Sequence, residues 1–312
     1  MNKRIKLPTP HLVDMASLDQ EIIKGLFERT QFFLRNSLNK GVTLKNLANK
    51  MIVNLFFETS TRTRNSFILA AKRLSALVMN PNLGLSATVK GESLLDTIHT
   101  FEAMGTDLFI IRHPDNNTAD FIAAELKSDA AVINAGDGNN QHPTQCLLDL
   151  FTINHHKKKF TDIKVAIIGD ILHSRVTRSL VQGLHIMGTK EISLIAPEAL
   201  SPTEIDEYKA SIYHNLQEGL QGADVVVALR IQKERIQVTA MPDPDKFYQE
   251  FGLTPTTLAY AKPDAIVMHP GPMNRGVEID SSVADGPQSV ILEQVRNGVA
   301  MRMAIMDALL SK

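Results

Sequence analysis

The chain has 312 residues, and its 33 Lys and Arg against 34 Asp and Glu give a formal net charge of -1 at pH 7. Affinity for a phosphate backbone depends on accumulated positive charge, so this balance argues against nucleic-acid binding. The single cysteine, Cys146, excludes an intrachain disulfide and a multi-cysteine zinc site. The longest uninterrupted apolar stretches are about five residues, whereas a helix that spans a membrane needs roughly 20. We therefore predict a cytoplasmic chain without a membrane partner.

Short apolar runs rich in β-branched residues predict strands along the whole chain. They are residues 51–57, 77–79, 107–111, 131–134, 164–168, 191–195, 223–229 and 265–268. Most of these runs are continuously apolar, which is typical of strands covered on both faces of a parallel sheet.

Helical patterns lie between the predicted strands. Ser17 and Gln20 form a capping-box pattern that predicts the start of a first helix. Ser93 precedes an apolar stripe that runs to Met104, and residues 177–187 and 290–310 show further helical stripes. This alternation indicates an α/β protein, and the length predicts about two domains.

The strongest chemical signal comes after the first predicted strand, where a helix begins. Ser60 is a good N-cap residue, and helix N-termini present free N–H groups and a positive dipole end. With the side chains of Thr61, Arg62 and Thr63, this segment predicts a phosphate site. Arg62 and Arg64 oppose the helix dipole unless an anion is bound; a capped surface helix with solvated arginines is the alternative.

Other candidate ligands follow later segments of the first half. Arg112 lies just past a predicted strand, where ligands bind in open α/β sheets. His142 and Gln145 follow a Gly- and Asn-rich loop and share one face of a helix start. Residues 86–93 are predicted to form a mobile loop with one cation, Lys90; an ordinary connecting loop is the alternative.

Arginines also follow two strands of the second half. Arg175 and Arg230 carry guanidinium forks that suit carboxylates. In an extended segment, Arg230 and Gln232 point the same way. The segment after the strand at 164–168 lacks G-x-G-x-x-G, so a dinucleotide site is not supported. The simplest assembly is a cleft between two α/β domains that holds a small, multiply anionic ligand.

Four segments together resemble the aspartate/ornithine carbamoyltransferase family: Ser60-Thr61-Arg62-Thr63-Arg64, Lys90-Gly91-Glu92, Arg112-His113-Pro114 and His142-Pro143-Thr144-Gln145. They occur in the family's order. Residues 230–235 and the turn His269-Pro270-Gly271-Pro272 resemble the branch that uses aspartate. The ornithine branch carries Ser-Met-Gly and a reactive cysteine at these two places.

The resemblance implies transfer of the carbamoyl group of carbamoyl phosphate to the amino group of L-aspartate. The products are N-carbamoyl-L-aspartate and phosphate, in pyrimidine biosynthesis, by direct attack and without a covalent enzyme intermediate, cofactor or metal. It implies two domains, each a parallel sheet flanked by helices. A carbamoyl-phosphate-binding domain spans 1–148 and receives a C-terminal helix over 290–312; an aspartate-binding domain spans 149–289.

The resemblance also implies residue roles. The phosphate ligands are Ser60, Thr61, Arg62, Thr63 and Arg112. The residues that polarise the carbonyl oxygen are Thr63, Arg112 and His142. The amino group of carbamoyl phosphate is held by Gln145 and by the backbone carbonyls of Gly271 and Pro272. The aspartate ligands are Lys90, Arg175, Arg230 and Gln232.

Two further roles concern assembly and closure. Ser86 and Lys90 are expected to reach the site of a neighbouring subunit in a homotrimer with shared active sites. Glu58 is expected to pair with Arg175 and Arg235 across a closed cleft.

The sequence leaves two other functions open. One is a transcarbamylase for a different amine or amino-acid acceptor, which acceptor preference distinguishes. The other is a ligand-sensing or structural subunit without activity. Whether regulatory or dihydroorotase partner chains join the trimer is also open.

Overall fold

The computed structural model describes residues 5–82, 92–202, 208–232 and 243–311 of the chain. The chain divides into two compact units. One unit comprises Met1–Leu148 and Arg296–Lys312, and the other comprises Asp149–Val295.

The strands in chain order are β1 Met51–Phe56, β2 Leu77–Met79, β3 Leu108–His113, β4 Ala131–Asp137, β5 Lys164–Ile168, β6 Glu191–Ile195, β7 Ser211–Tyr213, β8 Val225–Ala228 and β9 Ile266–Met268. The helices are α1 Gln20–Phe33, α2 Thr61–Arg73, α3 Leu94–Ala103, α4 Thr118–Glu125, α5 Pro143–Lys157, α6 Arg175–Met187, α7 Leu216–Leu220, α8 Pro244–Phe251, α9 Pro255–Leu258, α10 Ser281–Ala284 and α11 Ile291–Leu310. A π-helical turn, Leu34–Leu38, follows α1, and a 3₁₀ turn spans Glu198–Leu200.

The first unit is built on a parallel sheet in the order β2-β1-β3-β4. One face of this sheet packs Phe109 and Ile111 against Ile98 of α3 and Ile122 of α4. The outer edge of β4 is covered by Leu12, whose backbone N–H donates to the carbonyl oxygen of Val132 at 2.8 Å. This edge therefore does not expose a free row of backbone groups.

The second unit is built on a parallel sheet in the order β7-β6-β5-β8-β9. Its strand β8 is buried at every position, and β5 and β6 are buried after their first residues. The continuously apolar runs of the sequence therefore do form strands covered on both faces, as predicted.

The C-terminal helix packs within the first unit, as the resemblance implied. Ala300, Met301 and the run Met303–Met306 are buried. Asp307 accepts from Arg29 Nε of α1 at 2.6 Å. The predicted fold class is confirmed: two parallel sheets flanked by helices, with the C-terminal helix on the first unit.

Several local predictions were wrong. The N-cap of α1 is Asp19, whose carboxylate accepts from the N–H of Ile22 at 2.8 Å, and not Ser17. Strand β7 was missed because it is only three residues long and partly exposed. Met104 lies at the end of α3 with 56% of its surface exposed, so it does not extend the buried stripe.

Among the described residues, no helix combines the length and apolarity of a membrane span. In the same part of the chain, no cluster of three or more His, Cys, Asp or Glu side chains is arranged to hold a metal ion.

Candidate active site

The predicted phosphate site, a cradle formed by Ser60, Thr61, Arg62 and Thr63, follows the carboxyl end of β1. Helix α2 begins at Thr61, with Ser60 at the N-cap position, as predicted. Within the described residues the Ser60 side chain makes no capping hydrogen bond, and the first turn holds no acidic residue. Because the helix dipole is positive here, the backbone N–H groups and the hydroxyl are suited to an anion.

The two arginines of this first turn differ in their surroundings. Arg64 donates from Nε to Asn80 Oδ1 at 2.6 Å, so its guanidinium is engaged along the edge of the unit. Arg62 is exposed together with Thr61, while Thr63 is half-buried. The assignment of Arg62 as the anion ligand of the cradle stays a prediction.

Arg112 is placed beside this cradle by strand register. The parallel pairing of β1 with β3 sets Arg112 opposite Phe56, and the Phe57 N–H donates to the Arg112 carbonyl at 2.8 Å. The Arg112 side chain lies 3.1 Å from Glu58 Oε2 and donates from Nη1 to the Ala135 carbonyl at 3.2 Å. These contacts hold the guanidinium at the carboxyl ends of the strands.

A buried carboxylate that the sequence analysis missed organises the loop before α5. Asp137 is 1% exposed and accepts from the backbone N–H groups of Asn117 at 2.6 Å and Gln141 at 3.0 Å. The Asn134 side chain also donates to it at 2.8 Å. The only sequence signal was an aspartate among glycines and asparagines, which reads as an ordinary turn.

This loop delivers two predicted ligands to the start of α5. His142 and Gln145 are both largely buried, and the Gln145 N–H donates to the His142 carbonyl at 3.0 Å. Cys146, next along the helix, is fully buried. A buried imidazole and a buried amide at the start of a helix can polarise or orient a small substrate.

His113, the last residue of β3, packs beside the segment that follows β1. Its Nδ1 accepts from the Asp115 N–H at 3.0 Å, and its ring packs against Phe57 with centroids 5.0 Å apart. Burial lowers the pKa of His113, although nearby carboxylates oppose this shift. The neutral ring is therefore the form that suits its hydrogen bonding.

The second unit carries the predicted carboxylate ligands. Arg175 is the first residue of α6, where Ser174 caps the helix by accepting from the Thr177 N–H at 3.2 Å, and Arg175 is only 6% exposed. Arg230 Nη2 donates to Gln232 Oε1 at 3.4 Å, which confirms that these two side chains point the same way.

Asp170, also missed by the sequence analysis, joins the two segments that hold these ligands. It is fully buried, and its Oδ1 accepts from the backbone N–H of His173 at 3.2 Å and lies 2.8 Å from His173 Nδ1. Its Oδ2 accepts from the Gln232 N–H at 3.0 Å. One carboxylate thus fixes the loop after β5 to the segment after β8.

The turn His269-Pro270-Gly271-Pro272, which follows β9, is held by a buried histidine. The Gly271 N–H donates to His269 Nδ1 at 2.8 Å, so Nε2 carries the proton and donates to Glu278 Oε1 at 3.0 Å. The Gly271–Pro272 peptide is cis, and Gly271 has a φ of 71°, which favours glycine. The hydrogen bonds of His269 hold the segment that carries the backbone carbonyls of Gly271 and Pro272.

Ser86 and Lys90, which are predicted to reach a neighbouring site, and Arg235, the predicted partner of Glu58, lie outside the described residues. The pairing of Glu58 with Arg175 and Arg235 stays a prediction.

Two family models match the chain. A model of the carbamoyl-P binding domain of aspartate/ornithine carbamoyltransferases matches residues 10–155, and a model of the Asp/Orn binding domain of the same family matches residues 161–309.

Curated and solved relatives cover nearly the same length. The aspartate carbamoyltransferase catalytic subunit of Coxiella burnetii (strain CbuK_Q154) is 53% identical over 300 residues, which is 96% of each protein. The aspartate transcarbamoylase of Trypanosoma cruzi, in complex with carbamoyl phosphate and aspartate, gives a TM-score of 0.86 at 29% identity and covers 98% of this chain and 99% of that chain. Its complex with carbamoyl aspartate and phosphate gives 0.86 at 30% identity, covering 98% and 96%.

Proposed function

The chain belongs to the aspartate/ornithine carbamoyltransferase family, and we propose that its two units bind the two substrates of one carbamoyl transfer. The enzyme transfers the carbamoyl group of carbamoyl phosphate to the amino group of L-aspartate. N-carbamoyl-L-aspartate and phosphate are released, in de novo pyrimidine biosynthesis. The first unit is proposed to bind carbamoyl phosphate, and the second to bind aspartate.

The observation that carries the proposal is the pairing of a helix N-terminus with Arg112. Strand register sets Arg112 opposite Phe56, and its guanidinium contacts Glu58, two residues before the N-cap of α2. Ser60, Thr61 and Thr63 of this helix start supply hydroxyl and N–H donors. A dianionic phosphate group satisfies these donors and the exposed Arg62 together.

The acceptor half of the proposal depends on two arginines and one amide. A four-carbon dicarboxylate needs two cationic partners, and Arg175 and Arg230 supply them. Gln232 adds a polar contact next to Arg230, and Asp170 fixes its backbone. An acceptor with an ammonium group at its far end would instead meet a guanidinium, so this half favours aspartate over ornithine.

The chemistry needs no protein nucleophile, because carbamoyl phosphate is already activated. The neutral amine of aspartate attacks the carbamoyl carbon, a tetrahedral intermediate forms, and the bond to phosphate oxygen breaks as phosphate leaves. Orienting the two reactants can supply about 7–11 kcal/mol of barrier reduction. Thr63, Arg112 and His142 are proposed to stabilise the developing oxyanion, and one such donor is typically worth roughly 2.7–4 kcal/mol.

The amine must lose a proton before it attacks. The pKa of an α-amino group in peptides is about 7.7–8.0, and the carboxylates of free aspartate raise the pKa of its amine further. Pairing those carboxylates with Arg175 and Arg230 removes part of that increase and favours the neutral amine. The departing phosphate can take the proton that the amine releases.

A ureido-product assay tests the reaction directly. Purified protein receives carbamoyl phosphate with aspartate, ornithine, putrescine or N-acetylornithine in parallel reactions. Product with aspartate alone is expected. Product with another acceptor would preserve the phosphate half of the proposal and overturn the acceptor half, and no product with any acceptor from folded protein would overturn both.

We also propose that the active form is a homotrimer in which Ser86 and Lys90 act in a neighbouring subunit's site. Mixing Arg62→Ala chains with Lys90→Ala chains should then restore part of the activity, because some mixed sites carry neither change. Subunit exchange is verified with differently tagged chains. Absence of recovery after verified exchange would contradict shared sites.

A further inference from the structure

Arg302 is a buried cation of α11 that none of the sequence motifs contains. It is 4% exposed, and its guanidinium carbon lies 4.9 Å from the ring centroid of Phe67, which is fully buried in α2. Removing a guanidinium from water is unfavourable unless the surroundings compensate it. A flat cation against an aromatic face is one such compensation.

Gly298 makes room for this side chain. A Cβ atom at position 298 would lie 2.6 Å from Arg302 Nη1 and 3.1 Å from Leu148 Cδ2. Any larger residue would therefore push the guanidinium or Leu148 away. Helix α11 thus contacts α2 through Arg302 and approaches α5 at Gly298.

Both of these helices begin with proposed ligands of carbamoyl phosphate. Phe67 lies four residues after Thr63 on α2, and Leu148 lies three residues after Gln145 on α5. Residues at these spacings share one face of a helix. Since a helix moves as a rigid element, a change in the packing at Phe67 or Leu148 shifts the ligands one turn away.

We propose that Arg302 is a positioning residue for the carbamoyl phosphate site. Its guanidinium sets the spacing between α2 and α5, so that Thr63 and Gln145 contact the same substrate. This inference rests on the proposed function. Its physical basis is the flat, wide guanidinium group, which lysine does not reproduce although it keeps the charge.

The test compares Arg302→Lys and Arg302→Met with the wild-type full-length enzyme. A misplacement of about 1 Å at a reacting site can cost about 100-fold. We therefore expect both variants to raise the KM for carbamoyl phosphate by about tenfold or more. The KM for aspartate at saturating carbamoyl phosphate should change much less. Phe67→Leu, which removes the aromatic face, should move the same constant in the same direction.

Arg29 of α1 supplies a matched control at a different contact of α11. Its side chain is also largely buried, its guanidinium lies 4.6 Å from the rings of Phe32 and Phe33, and it is paired with Asp307 of α11. Arg29→Met should lower Tm as Arg302→Met does, yet leave the KM for carbamoyl phosphate unchanged.

The outcomes separate the inference from the proposed function. Wild-type enzyme is assayed first, and a wild type that forms no carbamoyl aspartate removes the proposed function and this inference with it. An active wild type, with Arg302→Lys and Phe67→Leu both within about twofold of its KM for carbamoyl phosphate, overturns the inference alone. If Arg302→Met does not fold, these two milder variants decide the question.

Discussion

Replacing Asp170 by asparagine tests how the acceptor half of the site is held together. The carboxylate is fully buried and shares its two oxygens between His173 and the backbone N–H of Gln232. An amide has the same shape but only one acceptor atom. When its oxygen serves His173, its NH₂ group faces the Gln232 N–H, and two donors oppose each other.

The expected cost follows from these contacts. A hydrogen bond to a charged group contributes about 1.5–3 kcal/mol, and a neutral one about 0.5–1.5 kcal/mol. Asp170→Asn loses the bond from Gln232 and weakens those from His173. We therefore expect the free energy of unfolding to fall by roughly 2–4 kcal/mol. Because the segment that carries Arg230 and Gln232 is released, the KM for aspartate should rise by about tenfold or more.

Asp224 provides the control in the same sheet, since it precedes β8 at the amino ends of the strands whereas Asp170 follows β5 at their carboxyl ends. Its carboxylate is also largely buried, and it accepts from the Lys164 N–H at 2.9 Å and from Lys262 Nζ at 2.8 Å. Asp224→Asn should lower the free energy of unfolding in urea by a comparable amount and leave the KM for aspartate unchanged. Asp170 does not hold the acceptor site if Asp170→Asn has the wild-type KM for aspartate, or if both variants raise this KM equally.

Three further predictions test other parts of the structure. Arg62→Ala should remove carbamoyl phosphate binding and most activity, because its guanidinium is the exposed cation of the cradle; near-wild-type kcat/KM would exclude the phosphate assignment. Gly169→Ala should cost at least about 3 kcal/mol in urea unfolding, since φ is 128° and a Cβ would meet the Leu229 carbonyl oxygen at 2.3 Å. The control Gly222→Ala, with φ of 70° and no atom within 4 Å of the added Cβ, should cost only about 1 kcal/mol; equal losses would exclude the steric explanation. Burial lowers the pKa of His113, so the folded chain binds fewer protons than the unfolded chain, and stability should fall as the pH drops below roughly 6.5. His113→Asn should flatten this dependence in urea unfolding between about pH 5 and pH 8, and an unchanged slope would contradict it.

Strand positions were accessible from the sequence because hydrophobic periodicity is a local property. The runs at 164–168 and 191–195 coincide with β5 and β6 residue for residue. Where the local pattern was weak, prediction failed: β7 is short and partly exposed, and α1 is capped by Asp19 and not by Ser17.

The candidate ligands were also accessible, since each follows a strand or opens a helix. Those positions have distinctive chemistry, such as hydroxyl groups at Ser60 or the paired side chains of Arg230 and Gln232. What those residues are proposed to bind depends on the ordered resemblance of several motifs, and no single motif would decide it.

The α/β class, most strands and the order of the ligand-bearing segments could be predicted from the amino-acid sequence, because these depend on residues close together in the chain. The groups that hold those segments in place could not be predicted, because their partners are distant in the sequence. Asp170 bonds to a residue 62 positions later, Asp137 to one 20 positions earlier, and Arg64 to Asn80 across 16 positions. A buried polar group needs its partner wherever the fold brings one, and sequence spacing carries no record of that partner.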